Sequence, residues 1–334
     1  MSAFAGAVNI EMNIIYSIKN KDGGKKMYQF KVPEQKRVRL IIHTDCKNEA
    51  DDQYAVAHQL MTPKLDVRGI IAGHFDKGQN RYPQGETARA SYEEVLKVLQ
   101  LMHLEGRYPV LIGAPTGLAD DKTPIVSEGA SFIIEEAMRD DDRPLYIGLQ
   151  GAITDLASAI LMKPEICSRM TAIWIGGGIY PQGGREFNLF QDIHAANVVF
   201  RSGMPLWQVP MDVYKQMSVT LAELQLKVSQ YGKIGRYLFE QMVDFNEQRG
   251  NDLSWPHGET WGLGDQGVIA VLMEEAEKTS IYKEIEAPCF DLSDGHYIYE
   301  KGNRKIRVYH TLDSRLTLED FFCKLQLNFP NQES

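Results

Sequence analysis

The chain has 334 residues, 43% hydrophobic and 24% charged, with a formal net charge of -9. This is ordinary globular composition with length enough for a large core, and the negative balance argues against nucleic acid as a partner, because no basic stripe is available to neutralise phosphates. No apolar run reaches the roughly 18 residues of a membrane span, and Met1-Ser-Ala-Phe-Ala-Gly-Ala-Val8 lacks the basic and long apolar parts of a signal peptide. Cys46, Cys167, Cys289 and Cys323 are scattered without zinc-like spacing. They read as reduced thiols in a cytoplasm.

Residues 1–36 hold the polar segment Lys19-Asn-Lys-Asp-Gly-Gly-Lys-Lys26 and read as an arm before the fold proper. From residue 37 the pattern alternates strand and helix. Leu40 to Ile42 is a buried strand, followed by the loop Asp45-Cys-Lys-Asn-Glu-Ala-Asp51-Asp52 and a helix from Tyr54 to Leu60. Strands follow at Val67–Ala72, Val110–Ile112, Leu145–Leu149, Thr171–Ile175 and Leu206–Val209. Helices fall between them at 87–102, 130–138, 156–161 and 195–200. This rhythm predicts an α/β fold, a mostly parallel central sheet flanked by helices. Two helices are expected between Leu221 and Arg249, placed to cap the site, and another from Gly267 to Glu275. Residues 281–312 alternate like a hairpin and a last helix runs near Leu318 to Leu325. Residues 276–334 are read as an addition to one domain spanning 37–334.

The acidic loop is the most informative stretch. Asp45, Glu49, Asp51 and Asp52 place four carboxylates within eight residues, and they repel one another strongly in a low-dielectric setting. One reading is a solvated loop whose Asp51 and Asp52 cap the following helix. The other is a site for a hard cation, which takes oxygen ligands and sits where ligands gather in parallel sheets, beyond the carboxyl ends of strands. Leu149-Gln150-Gly-Ala-Ile-Thr-Asp-Leu156 puts the Gln150 carbonyl at another strand end. Ile175-Gly-Gly-Gly178, then Arg185-Glu186-Phe187-Asn188, offers a glutamate and an asparagine suited to sugar hydroxyls. Its glycines lack the spacing of a dinucleotide fingerprint. Asp265 opens a helix after Trp255-Pro-His257-Gly-Glu-Thr-Trp261-Gly-Leu-Gly264. It reads as a cap or as a further carboxylate for the same ion.

Taken in order, these stretches resemble the inosine-uridine-preferring nucleoside hydrolase family, whose first loop is Asp-x-Asp-Pro-Gly-x-Asp-Asp. Gly148-Leu-Gln-Gly-Ala-Ile-Thr-Asp-Leu-Ala157, Ile173-Trp-Ile-Gly-Gly-Gly178, Glu186-Phe-Asn188 with Asp192-Ile-His-Ala-Ala196, and Asp265 are similar to its later motifs. The likeness covers roughly residues 38 to 275. It implies a nucleoside-hydrolase-like fold and calcium-dependent hydrolysis of the N-glycosidic bond of a ribonucleoside or related riboside, in purine or pyrimidine salvage. Asp45, Asp52, Asp265 and the Gln150 carbonyl would hold Ca²⁺, with Asp45 also the general base and Glu49 the other candidate for that role. Asp51, Glu186 and Asn188 would hold the ribose, with Asn48, Glu49 and His74 as further substrate contacts. Three departures stand out. Aligned without a gap, Lys47 falls where the family has its second aspartate. Gly264 replaces a histidine that assists base departure in some members, which leaves His257, Trp261 and Tyr180 as candidates for that role. Ile71-Ala-Gly-His74 replaces the family's Val-x-Gly-Asn. The expected partner is a small-molecule riboside and the expected assembly a homo-oligomer, dimer or tetramer. The alternative is a homologue that keeps the metal and ribose but has weak turnover and a binding or structural role.

Overall fold

The computed structural model describes residues 28–252, 256–273 and 279–331. Six strands alternate with helices as the apolar pattern predicts. They are β1 (Val38–Thr44), β2 (Leu65–Ala72), β3 (Val110–Ile112), β4 (Leu145–Gln150), β5 (Thr171–Ile175) and β6 (Leu206–Val209). The helices between them are α1 (Asp52–Met61), α2 (Thr87–Leu101), α3 (Glu128–Met138), α4 (Thr154–Met162), α5 (Phe187–Gln191) and α6 (Ile193–Arg201). Then come α7 (Met211–Tyr214), β7 (Ser218–Thr220), α8 (Leu221–Lys227), α9 (Gly232–Gln248), β8 (Thr260–Gly262) and α10 (Gly267–Met273). The chain closes with β9 (Tyr282–Glu286), β10 (Cys289–Phe290), β11 (Tyr297–Ile298), β12 (Lys305–Tyr309) and α11 (Ser314–Asn328).

The main sheet has the order β3-β2-β1-β4-β5-β6-β12-β9. Every neighbouring pair is parallel except β9 with β12. The expected C-terminal hairpin is therefore no mere appendage. β12 continues the sheet beside β6, burying Ile306 and Val308 and pairing an edge that would otherwise leave its backbone groups open. The expected helix from Gly267 is described as far as Met273, and its continuation lies outside the described residues. So do residues 1–27 of the expected arm, but its last part is pinned to the fold. The buried Tyr28 donates to the Met61 carbonyl at 2.8 Å and accepts from Asn328 Nδ2 at 2.7 Å.

β1 lies inside the sheet, third from its β3 edge, and is buried on both faces. Leu40 and Ile42 join one apolar layer with α1, α10 and α11, while Ile41 joins the other with α3, α4 and α6. A strand covered on both sides reads as a continuous apolar run, which is why Leu-Ile-Ile was legible. Thr44 of β1 is opposite Gln150 of β4 and Ala72 of β2. The strand ends are thus level, and the loops leaving them share one rim. No helix among the described residues is long and apolar enough to cross a membrane.

Candidate active site

Thirteen residues line a cleft of about 80 Å³ at that rim, drawn from the β1–α1 loop, the ends of β4 and β5, α5, α7 and the turn before α10. Asp45, Asn48, Glu49, Asp51, Asp52, Gln150, Glu186, Asn188 and Asp265 are all among them. Carboxylate oxygens of Asp51, Asp52 and Asp265 lie within 4.8 Å of one another. Asp51, expected at the sugar, thus stands as near the cation candidates as the others.

Asp51 and Asp52 do stand at the start of α1, as the capping reading has it, but the loop is not solvated, since Asp45 and Asp52 are buried. Asp51 occupies the N-cap position of α1, but its side chain makes no capping bond. Its Oδ2 instead faces the Asp265 amide at 3.5 Å. Asp52 accepts from the Thr44 hydroxyl. Asp45 is 1% exposed, and its Oδ2 has no hydrogen-bond partner among the described residues. Gly151 makes room for it, since a Cβ there would come within 3.0 Å of Asp45 Cγ.

Crowding and burial hold the protons on these groups. Burial, with Asp52 beside it, pushes Asp45 well above the usual carboxylate range. Burial and then Asp51 push Asp52 up to about 8. Burial brings Asp51 to about 6, although backbone N–H groups oppose it. Asp265 is raised well above its ordinary value by burial and by Asp52 and Asp51. Glu49 is pushed to about 7 by burial and Asp51, against the pull of Arg249, Arg81 and Lys215. An orphaned buried oxygen among hard carboxylate donors fits a divalent cation such as calcium. A dication placed there replaces the protons.

The sugar-side candidates are rigidly held. Glu186 accepts at Oε2 from the Gly177 and Leu189 amides, both at 2.9 Å. Its Oε1 accepts from the Asn188 amide at 3.1 Å and the Tyr214 hydroxyl at 2.9 Å. The triple-glycine turn is shaped for this purpose. Gly177 has φ +86°, and a Cβ there would meet Gln208 Nε2 at 2.3 Å. Only glycine fits that position. Asn188 Nδ2 donates to the Ile175 carbonyl at 2.7 Å.

Other expected residues are not brought to the cleft. Lys47 turns away to Glu94, with Nζ 3.0 Å from Oε2. Asp45 lines the cleft, whereas Lys47 does not. His74 is 1% exposed and bonded to Thr154 Oγ1 at 2.8 Å, which in turn donates to Asp192. Trp261 is buried, stacked on His257 at 4.5 Å and edge-on to Phe245. Neither its face nor the His257 ring is offered to the cleft. Tyr180 stacks on Tyr297 and donates to Gln208 at 2.7 Å. The sequence reading missed Tyr214. The available signal was its place just beyond a strand, in Pro210-Met-Asp-Val-Tyr214.

A family model described as inosine-uridine preferring nucleoside hydrolase matches residues 40–319. The chain belongs to that family. It is a hydrolase acting on N-glycosyl bonds of ribonucleosides. The pyrimidine-specific ribonucleoside hydrolase RihA of Klebsiella pneumoniae strain 342 is 24% identical over 306 residues, spanning 83% of this chain and 91% of its own. RihA of Escherichia coli O127:H6 is 25% identical over 241 residues, or 65% and 74%. Among solved structures, a purine-preferring ribonucleoside hydrolase from Gardnerella vaginalis shares the fold with a TM-score of 0.68 at 18% identity, covering 87% of this chain and 99% of its own. A plant nucleoside hydrolase gives 0.67 at 17%, with coverage of 86% and 98%.

Proposed function

We propose that this nucleoside hydrolase cleaves the N-glycosidic bond of a ribonucleoside or related riboside in a calcium-dependent reaction. The observation that carries this reading is the buried, unpartnered Oδ2 of Asp45, set among clustered carboxylates on the same rim as Glu186 and Asn188. Asp52, Asp265, Asp45 and the Gln150 carbonyl are the candidate ligands. Calcium, when bound, supplies a positive pole that orients a water and makes it more acidic.

Asp45 takes the proton of the attacking water as general base. Asp51, Glu186 and Asn188 grip the ribose hydroxyls and fix the anomeric carbon. Glu186 is suited to this because its backbone donors leave it no freedom to swing. The bond breaks through an oxocarbenium-like state. The ionised carboxylates beneath the ring stabilise its positive charge without having to reorganise. Asn48 and Glu49 frame the mouth over the sugar. The water adds directly, without a covalent enzyme intermediate, so the product emerges with inverted configuration.

The test is a panel of ribosides assayed with calcium and with a chelator, with the anomer of the product resolved. Calcium-dependent release of inverted ribose is expected. Unimpaired turnover in chelator, or retained configuration, would falsify the mechanism.

A further inference from the structure

Nine of the ten residues of α1 are buried, and apolar side chains would suit such a helix best. Gln53, His58 and Gln59 instead end in an amide or an imidazole, and each is wholly buried. Each grips a different segment of the rim. Gln53 Nε2 donates at 2.7 Å to the carbonyl of Cys46, the residue after Asp45. His58 Nδ1 lies 2.7 Å from Oε1 of Gln266, the residue after Asp265. Gln59 Nε2 donates at 2.6 Å to the side-chain oxygen of Gln150, whose backbone carbonyl is itself a candidate ligand. Asp52, the fourth candidate, is the first residue of the helix.

Helix geometry sets the spacing. Asp52 and Gln59 stand about two turns apart and so share one face of α1. That face looks onto two strand ends lying side by side. Asp52 accepts from Thr44 at the end of β1, Gln59 donates to Gln150 at the end of β4, and Thr44 and Gln150 are opposite one another in the sheet. His58 is braced from behind by α11, where Asp320 Oδ2 lies 2.8 Å from its Nε2 and is shared with Lys324. Stability alone does not account for these groups. Gln53 Oε1, Gln59 Oε1, Gln150 Nε2 and Gln266 Nε2 are buried with no hydrogen-bond partner among the described residues. Each such atom costs free energy that an apolar side chain would avoid. What the network does contribute is a fixed place for the segments it holds.

We propose that Gln53, His58 and Gln59 are positioning residues for the cation site, through which α1 sets Asp45, Asp265 and the Gln150 carbonyl against its own Asp52. This rests on the calcium reading above. An ion that draws oxygens from separate segments binds more tightly when those segments are already in place, because binding then has less to order. Groups that hold ligands from behind change metal affinity by about 10–100-fold. The three side chains act through the residues they grip, so their effect falls on calcium affinity.

The test is calorimetric titration of calcium chloride into chelator-stripped protein, with melting temperatures taken in chelator alongside. Gln53→Leu, His58→Leu and Gln59→Leu are each expected to weaken calcium binding about tenfold or more. Two further variants separate holding the ligands from holding the fold. Gln59→Leu combined with Gln150→Leu leaves neither amide unpaired and keeps the backbone carbonyl at 150. It should recover the melting temperature lost in Gln59→Leu but not the calcium affinity. His58→Asn puts an amide where Nδ1 stood and cannot reach Asp320, so it should melt lower than the unaltered enzyme yet bind calcium more tightly than His58→Leu. Should a single leucine variant not fold, the double variant against the unaltered enzyme carries the same comparison. Unchanged affinity in the single variants would overturn the proposal and leave the calcium reading in place. So would affinity that returns with stability in the double variant, or equal weakening by Asn and Leu at 58. If the unaltered enzyme binds no calcium, both fall together.

Discussion

β1 has a crowd of charges at each end, and the two crowds are built on opposite principles. At its start, Arg39, Arg68, Arg139 and Arg143 meet Asp66, Glu136 and Asp141. Arg143 sits 2.8 Å from Asp66 and 2.6 Å from Asp141, and Arg139 sits 2.6 Å from Glu136. Arg39 lies 3.9 Å from Glu136, and Arg68 3.2 Å. The acids there are matched, and the hydrogen bonds from Arg143 hold Asp141 well below the usual carboxylate range. Beyond the other end, Asp45, Asp51, Asp52 and Asp265 make no ion pair with a lysine or arginine among the described residues, and their pKa values rise. Self-neutralised charges hold a fold together. A cluster that stays uncompensated is a site waiting for something to bind.

The strongest way to break this contrast is to remove a carboxylate from the second cluster. Asp52→Ala is expected to abolish calcium binding in calorimetry and lower kcat by about 10³-fold or more. Full activity in that variant would sink the metal role.

The two ends should also respond to pH with opposite sign. Asp51 and Asp52 bind protons more tightly folded than unfolded, moving from 3.8 to about 6 and about 8. Without calcium, their contribution to stability is fully present below pH 3.8 and is lost as pH rises through those folded values. Asp141 is depressed, so its contribution is present above 3.8 and lost as pH falls below it. Melting temperatures taken across pH 3 to 9 in chelator should therefore fall on both sides, and calcium should lift only the alkaline side. A calcium increment that is flat with pH would contradict the scheme.

Arg143→Ala sharpens the other half. Losing its charge-assisted bonds to Asp66 and Asp141 is expected to cost about 2 kcal/mol of stability, read by urea unfolding, with calcium affinity unmoved. A parallel drop in calcium affinity would show that the two ends are not independent. The smallest effect is expected from Lys47→Ala. Its pair with Glu94 is a third exposed on the lysine side, so the change should cost about 0.5 kcal/mol and leave kcat/KM alone. A large activity loss would return Lys47 to the site.

Much of this was legible because it depends on local pattern. A strand buried on both faces must be apolar throughout, so Leu40-Ile-Ile42 announced an interior strand of the sheet. Carboxylates crowded into one loop must be neutralised somehow, so Asp45, Asp51 and Asp52 stood out before any contact was known. What the chain order could not decide was direction and company. Lys47 and Asp45 are two residues apart, yet one faces Glu94 and the other the cleft. His74, His257 and Trp261 had suitable chemistry but are held in contacts elsewhere. Tyr214 and Gly264 are fifty positions apart and show no pattern in common, but the ring of one needs the missing side chain of the other. Periodicity reports which residues are buried, because burial repeats with the geometry of each element. Which side chains meet across the rim is set by how those elements pack, and only the tertiary structure decided that.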